Sequence, residues 1–127
     1  SQVRKAHSVE ELIRASDFIS LHVPQVPATK HLINEARLGM AKRNAVLLNF
    51  SREAIVDVSA VLAALESGHL RAYVCDFPEE RFRGHPKVVA LPHLGASTHE
   101  AEENCAIMVV DQVRDYLEHG NIRNAVN

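Results

Sequence analysis

The chain has 127 residues, 46% of them apolar and 24% charged, a length that fits one ordinary domain and leaves no room for a second full one. Its 14 Lys and Arg against 16 Asp and Glu give a formal charge of −2, so it lacks the basic footprint with which nucleic-acid binders release counterions. No apolar run approaches the length of a membrane span, no secretory h-region opens the sequence, and Cys75 and Cys105 are too few for a disulfide scaffold. A reducing, cytoplasmic setting is expected.

In chain order, Ser8-Val-Glu-Glu11 forms a capping box, which predicts a short helix through about Ser16. Phe18 to Val23 reads as a strand closed by Pro24 and Pro27. Asn34 caps a short helix containing Leu38 and Met40. Ala45 to Leu48 is a continuous apolar run, the pattern of a strand covered on both faces. Asp57 caps a helix with Val61, Leu62 and Leu65 on one side, and Gly68 supplies its stop. Leu70 to Cys75 and Val88 to Leu91 read as two more strands. Ser97-Thr-His-Glu100 is a second capping box that opens a long helix ending at Gly120, and a polar tail runs from Asn121 to Asn127.

Strands separated by helices at this spacing predict βαβ units with parallel pairing, a Rossmann-like doubly wound α/β sheet. Four strands are few for such a domain, so further strands are expected upstream. The glycines are Gly39, Gly68, Gly84, Gly95 and Gly120, and no two are spaced for a G-x-G-x-x-G or Walker turn. The chain also opens on Ser1 rather than Met, which makes a fragment or processed product the expectation.

Four polar clusters fall at or just after the predicted strand ends: Leu21 to Pro24, Asn49 to Arg52, Cys75 to Glu80, and Pro92 to Ser97. In a parallel sheet these ends share the edge where ligands bind. His22, Arg52, Asp76, Glu79 or Glu80, and His93 are thereby candidates to converge. One histidine, one acid and one arginine suffice for proton transfer beside an anion. The histidine exchanges the proton, the carboxylate favours its imidazolium form, and the arginine clamps a carboxylate bidentately. Plainer readings stand beside these: His93 as a loop histidine, His22 packed and hydrogen-bonded in its apolar run, Arg52 paired with Glu53 or Asp57, the Glu79–Arg83 stretch as a solvated charge cluster, and both cysteines as small buried apolar residues. No histidine pair has zinc-site spacing, so no metal is expected. No G-x-S-x-G elbow is present.

Taken in order, the runs His22-Val-Pro-x-x-Pro-x-Thr29, Leu47-x-Asn49-x-x-Arg52-x-x-x-Val56-Asp57, Asp76-Phe-Pro-x-Glu80 and Pro92-His-x-Gly-Ala-Ser-Thr98 resemble the signatures of the D-isomer-specific 2-hydroxyacid dehydrogenases. The extended Pro92 segment, with Asn104-Cys-Ala and Gly120 to Asn127, is most similar to that family's D-3-phosphoglycerate dehydrogenase branch. The resemblance spans nearly the whole chain. It implies that residues 1–127 are the C-terminal part of an NAD-binding domain, with the glycine-rich half and the substrate domain outside this sequence. It further implies that Arg52 binds the substrate carboxylate and that His93 is the acid/base for the 2-oxygen. Glu80, or Glu79 beside it, would partner His93; the spacing from Asp76 is one residue shorter than usual. On the NAD side it implies Asp76 at the carboxamide, His22, Val23, Pro24 and Thr29 along the adenosine half and pyrophosphate, Asn49, Phe50 and Ser51 past the nicotinamide ribose, and Gly95 and Ala96 near the ring. Glu53 stands where the family usually has glycine. The implied activity is hydride transfer between NAD and a D-2-hydroxy acid, 3-phosphoglycerate in serine biosynthesis, by a homodimer that binds neither nucleic acid nor membrane. An NAD-sensing corepressor and an inactive dimerisation fragment are the rival readings. By itself the chain is expected to bind NAD weakly or not at all and to be inactive, for want of a phosphate-cradling turn.

Overall fold

The computed structural model describes residues 4–77 and 79–91. Within them, α1 (Val9–Ala15), β1 (Phe18–Leu21), α2 (Glu35–Met40), β2 (Ala45–Asn49), α3 (Val58–Glu66), β3 (Leu70–Cys75) and β4 (Val88–Ala90) follow one another, with single 3₁₀ turns at Pro27–Thr29, Glu53–Ile55 and Glu80–Phe82. The predicted long helix from Ser97, Cys105 and the polar tail lie outside the described residues.

Local chemistry sets the helix starts. The Ser8 hydroxyl accepts the Glu11 N–H, and the Glu11 carboxylate reaches back one residue further than a standard capping box, to the N–H of His7. Asn34 accepts from the Arg37 N–H, and Asp57 accepts from the N–H groups of Ser59 and Ala60. Gly68 follows α3 at φ +81°, the left-handed position that ends a helix.

The four strands form one sheet in the order β1-β2-β3-β4, all parallel. This bears out the Rossmann-like parallel α/β reading. Alternate strand residues serve two cores. Ile19, Leu21, Leu47, Tyr73, Cys75 and Val88 join a cluster with Ile13, Leu38, Val61 and Leu65 from the helices. Val46, Ala72, Val74, Val89 and Leu91 form the cluster on the opposite face. Across β2 and β4 both faces are therefore buried and the sequences are continuously apolar, whereas β1 alternates, with Phe18 and Ser20 exposed.

Three predicted strand ends move, β2 by running one residue on to Asn49. β1 stops at Leu21 and not at Val23, because the Val23 N–H leaves the ladder for the hydroxyl of Ser51 at 2.7 Å. β4 stops at Ala90, one residue early, although the Leu91 N–H still bonds the Cys75 carbonyl at 2.8 Å. No helix among the described residues is long and apolar enough to cross a membrane.

Candidate active site

The sheet register aligns Leu21, Asn49, Cys75 and Ala90 in one row at the carboxyl ends of the strands. The first three site segments identified in the sequence begin at or just after this row. The fourth begins at Pro92, outside the described residues. A parallel sheet thus brings together residues that are about thirty positions apart in sequence.

The turn after β2 is built on Asn49, which is 0% exposed. Its Oδ1 accepts the Ser51 N–H at 3.0 Å, and its Nδ2 donates to the Arg52 carbonyl at 3.0 Å and to the Tyr73 hydroxyl at 3.1 Å. A backbone N–H can only donate and a carbonyl can only accept, so these two partners fix which end of the amide is which. The Asn49 side chain is consumed in holding the turn, and the buried Ser51 hydroxyl in holding the β1 loop through Val23. Two separate site loops are thereby tied to one another.

A cleft of about 680 Å³ opens at this tie, lined by His22, Val23, Pro24, Gln25, Phe50, Ser51 and Arg52. His22 is exposed and not buried in the apolar run as its plainer reading had it, but the hydrogen bond which that reading expected is present. Its Nε2 lies 2.7 Å from the Ser20 hydroxyl, and its ring is tilted against Phe50 with centroids 5.8 Å apart. The Arg52 guanidinium is exposed and donates to the carbonyl of Ser51 at 2.9 Å, so neither Glu53 nor Asp57 is needed to hold it. Thr29 closes the far side of the loop: its hydroxyl accepts the Val26 N–H and donates to the Pro24 carbonyl at 2.6 Å. Gln25 also lines the cleft, and nothing in the sequence marked it.

On the β3 side, Asp76 is half-buried directly after the strand. Cys75 is buried, as its plainer reading held; burial pushes its thiol up to about 11, partly offset by a backbone hydrogen bond at Phe77. Burial likewise holds the Tyr73 hydroxyl firmly in its protonated form. Glu79 caps the following 3₁₀ turn by accepting the Arg81 N–H at 3.3 Å. Glu80 is exposed and pairs with Arg83 at 3.0 Å. Arg81 reaches the Ser59 hydroxyl at 2.8 Å and pins this turn to the start of α3. His93, Gly95 and Ala96 lie outside the described residues.

The lining suits a nucleotide in its donor chemistry. It offers the exposed Arg52 guanidinium and the adjoining His22 and Phe50 rings at a strand-end cleft, while the Val23, Phe50 and Ser51 N–H groups are already bonded within the protein, and it has no glycine-rich turn for a pyrophosphate. The residues present therefore fit part of NAD, with its phosphate grip to be supplied from elsewhere.

Comparison with known proteins agrees with this geometry. Residues 1–95 match the family model described as D-isomer specific 2-hydroxyacid dehydrogenase, NAD binding domain. The chain is 36% identical to a D-3-phosphoglycerate dehydrogenase of Haemophilus influenzae, an alignment covering 98% of the chain and 33% of that protein. It is 40% identical to a glyoxylate reductase of Thermococcus litoralis, over 93% of the chain and 38% of that enzyme. Among solved structures, an NAD-dependent formate dehydrogenase from Staphylococcus aureus in complex with NAD superposes with a TM-score of 0.66 at 30% identity, covering 88% of this chain and 36% of that one. The chain thus spans between 22% and 39% of the length of such relatives. The chain belongs to the D-isomer specific 2-hydroxyacid dehydrogenase family, within whose NAD-binding domain its first 95 residues fall.

Proposed function

We propose that this chain is part of the NAD-binding domain of a dehydrogenase that interconverts a D-2-hydroxy acid and its 2-oxo acid, with 3-phosphoglycerate as the substrate. The glycine-rich half of that domain and the substrate domain would lie on polypeptide outside this sequence. The observation that carries the reading is the single row of strand ends that sets the Arg52 turn beside the cleft and the acid turn on the neighbouring strand.

Arg52 holds the substrate carboxylate: its guanidinium is exposed, and a planar fork of donors matches a carboxylate bidentately. His93 takes the hydroxyl proton. Glu80, with Glu79 as the alternative, lends His93 the charge that favours its imidazolium form. Bound NAD supplies the hydride acceptor. His22, Val23, Pro24, Thr29, Phe50, Ser51, Asp76, Gly95 and Ala96 line its path, while the Asn49 side chain works from beneath by fixing the turn. Several D-3-phosphoglycerate dehydrogenases among the relatives support the substrate, and glyoxylate reductases are the nearest competing specificity. A cytoplasmic homodimer in serine biosynthesis is the setting that accords with this substrate.

The test is NAD reduction by the full-length protein on a panel of 3-phosphoglycerate, D-glycerate and D-lactate, with glyoxylate assayed in the reverse direction. The expected result is a kcat/KM for 3-phosphoglycerate at least about tenfold above the others, the discrimination that one well-made polar contact supplies. Equal or better use of glyoxylate would refute the substrate, and no turnover on any member would refute the reaction.

A further inference from the structure

Tyr73 lies in the middle of β3 with 0% of its surface exposed, and no signature motif includes it. Its two ends touch different parts of the site. The hydroxyl accepts from Asn49 Nδ2 at 3.1 Å, and the same amide group holds the Arg52 carbonyl at 3.0 Å. The ring packs against Phe82 with centroids 4.9 Å apart and planes tilted by 41°. Phe82 is the buried residue of the 3₁₀ turn Glu80–Phe82, whose exposed positions include the candidate acid Glu80 and whose cap is Glu79. A phenylalanine here would keep the ring contact and lose the hydroxyl. A smaller residue would lose both.

We propose that Tyr73 is a positioning residue that couples the Arg52 turn to the Glu79–Glu80 turn, through its hydroxyl on one side and its ring on the other. The coupling rests on the dehydrogenase reading only for its functional consequence; the mechanical link stands on the geometry alone. Asn49 donates two N–H groups, and both must find acceptors because the residue is wholly buried. With the Tyr73 oxygen in place, the second N–H is satisfied and the first stays on Arg52. Without it, the amide gains by rotating toward another acceptor, and the Arg52 turn loses its clamp. Tyr73 does not contact substrate. It decides how far Arg52 wanders.

The link is tested in the full-length protein with Tyr73→Phe and Phe82→Leu, each read by amide hydrogen exchange and by steady-state kinetics. Tyr73→Phe should accelerate exchange across residues 50–53 by about tenfold, the factor lost with one buried hydrogen-bond partner, and leave residues 80–83 unchanged. The KM for the hydroxy acid should rise about tenfold while the KM for NAD stays within about twofold. Phe82→Leu should accelerate exchange at 80–83 and, through the Tyr73 ring that then shifts, at 50–53 as well, and should displace the acid limb in the pH profile of kcat/KM; exchange at 50–53 unchanged from wild type in this variant would also overturn the coupling. Unchanged exchange at 50–53 in Tyr73→Phe overturns the coupling whatever the activity. Faster exchange with an unchanged substrate KM in an active enzyme overturns the positioning role. Faster exchange in a protein whose wild type turns over no hydroxy acid upholds the link and sinks the dehydrogenase reading instead.

Discussion

Replacing Asn49 by Ala removes three hydrogen bonds at a site with no exposed surface. The Ser51 N–H sits in a buried residue and is left without its acceptor, a loss of about 1–3 kcal/mol. The bonds to the Arg52 carbonyl and the Tyr73 hydroxyl add about 1 kcal/mol each. The sum is about 3–5 kcal/mol, a large part of the stability of a domain of this size. In urea unfolding of the full-length protein followed by circular dichroism, it corresponds to a midpoint lower by about 2 M at an ordinary denaturant slope. Asn49→Asp sharpens the test. It keeps an acceptor for the Ser51 N–H but turns an oxygen toward the Arg52 carbonyl and buries a charge, so at neutral pH it should destabilise at least as much as alanine. Burial raises the folded pKa of that carboxyl, so the deficit should shrink as the pH falls and the group regains a proton to donate. A loss under about 1 kcal/mol for Asn49→Ala, or an aspartate variant as stable as wild type at pH 7, would show that the turn does not depend on this amide.

Two further outcomes follow, one from Cys75 at this edge and one from Gly68 at the opposite edge of the sheet. The Cys75 thiol is raised from 9.0 to about 11 by burial. Between those values the folded protein keeps a proton that the unfolded chain has lost, so stability should fall as the pH rises through that window. Native Cys75 at pH 8 should alkylate at least about a hundredfold more slowly than in denaturant, as read by mass spectrometry of its peptide, and similar rates would mean the strand end opens freely. At Gly68 an added Cβ would meet only the Arg43 guanidinium, at an ordinary 3.7 Å, so the penalty for Gly68→Ala comes from φ +81° alone. It should cost about 1–2 kcal/mol in thermal unfolding, and Gly68→Asn less; an alanine variant as stable as wild type would contradict the left-handed helix stop.

The elements legible in the sequence are those decided by near neighbours. Ser8, Asn34 and Asp57 each cap a helix with an oxygen two or three residues from its partner, and a single sequence displays such spacing. The apolar run of β2 announced a strand covered on both faces. What escaped was decided at a distance. Val23 leaves β1 for a hydroxyl 28 positions later, which nothing local to Val23 reveals. Tyr73 sits in a strand with no polar face, where period-2 alternation carries no information, and its partner Asn49 is 24 residues earlier. The motif order named the residues at the strand ends. It could not show that Asn49 and Thr29 spend their polar atoms inside the protein.

Glu53 brings these threads together. It occupies a position where the resembling family usually carries glycine, which suggests a turn needing left-handed backbone. Among the described residues, positive φ outside glycine occurs only at His31 and Asn44. Glu53 instead opens a 3₁₀ turn over Glu53–Ile55 that any L-residue can adopt. That turn is anchored downstream, where the His31 and Ile33 N–H groups bond the Ala54 and Ile55 carbonyls and the Asp57 N–H returns to Ile33. Upstream it hangs from Asn49 and, through it, Tyr73. The backbone of Arg52 is therefore fixed on both sides while its guanidinium reaches solvent. An arginine mounted in this way orders only its own side chain when it captures a carboxylate, and the loop entropy is already spent in folding. The conformational freedom of glycine is dispensable at residue 53 because the backbone there takes a 3₁₀ turn outside the left-handed region.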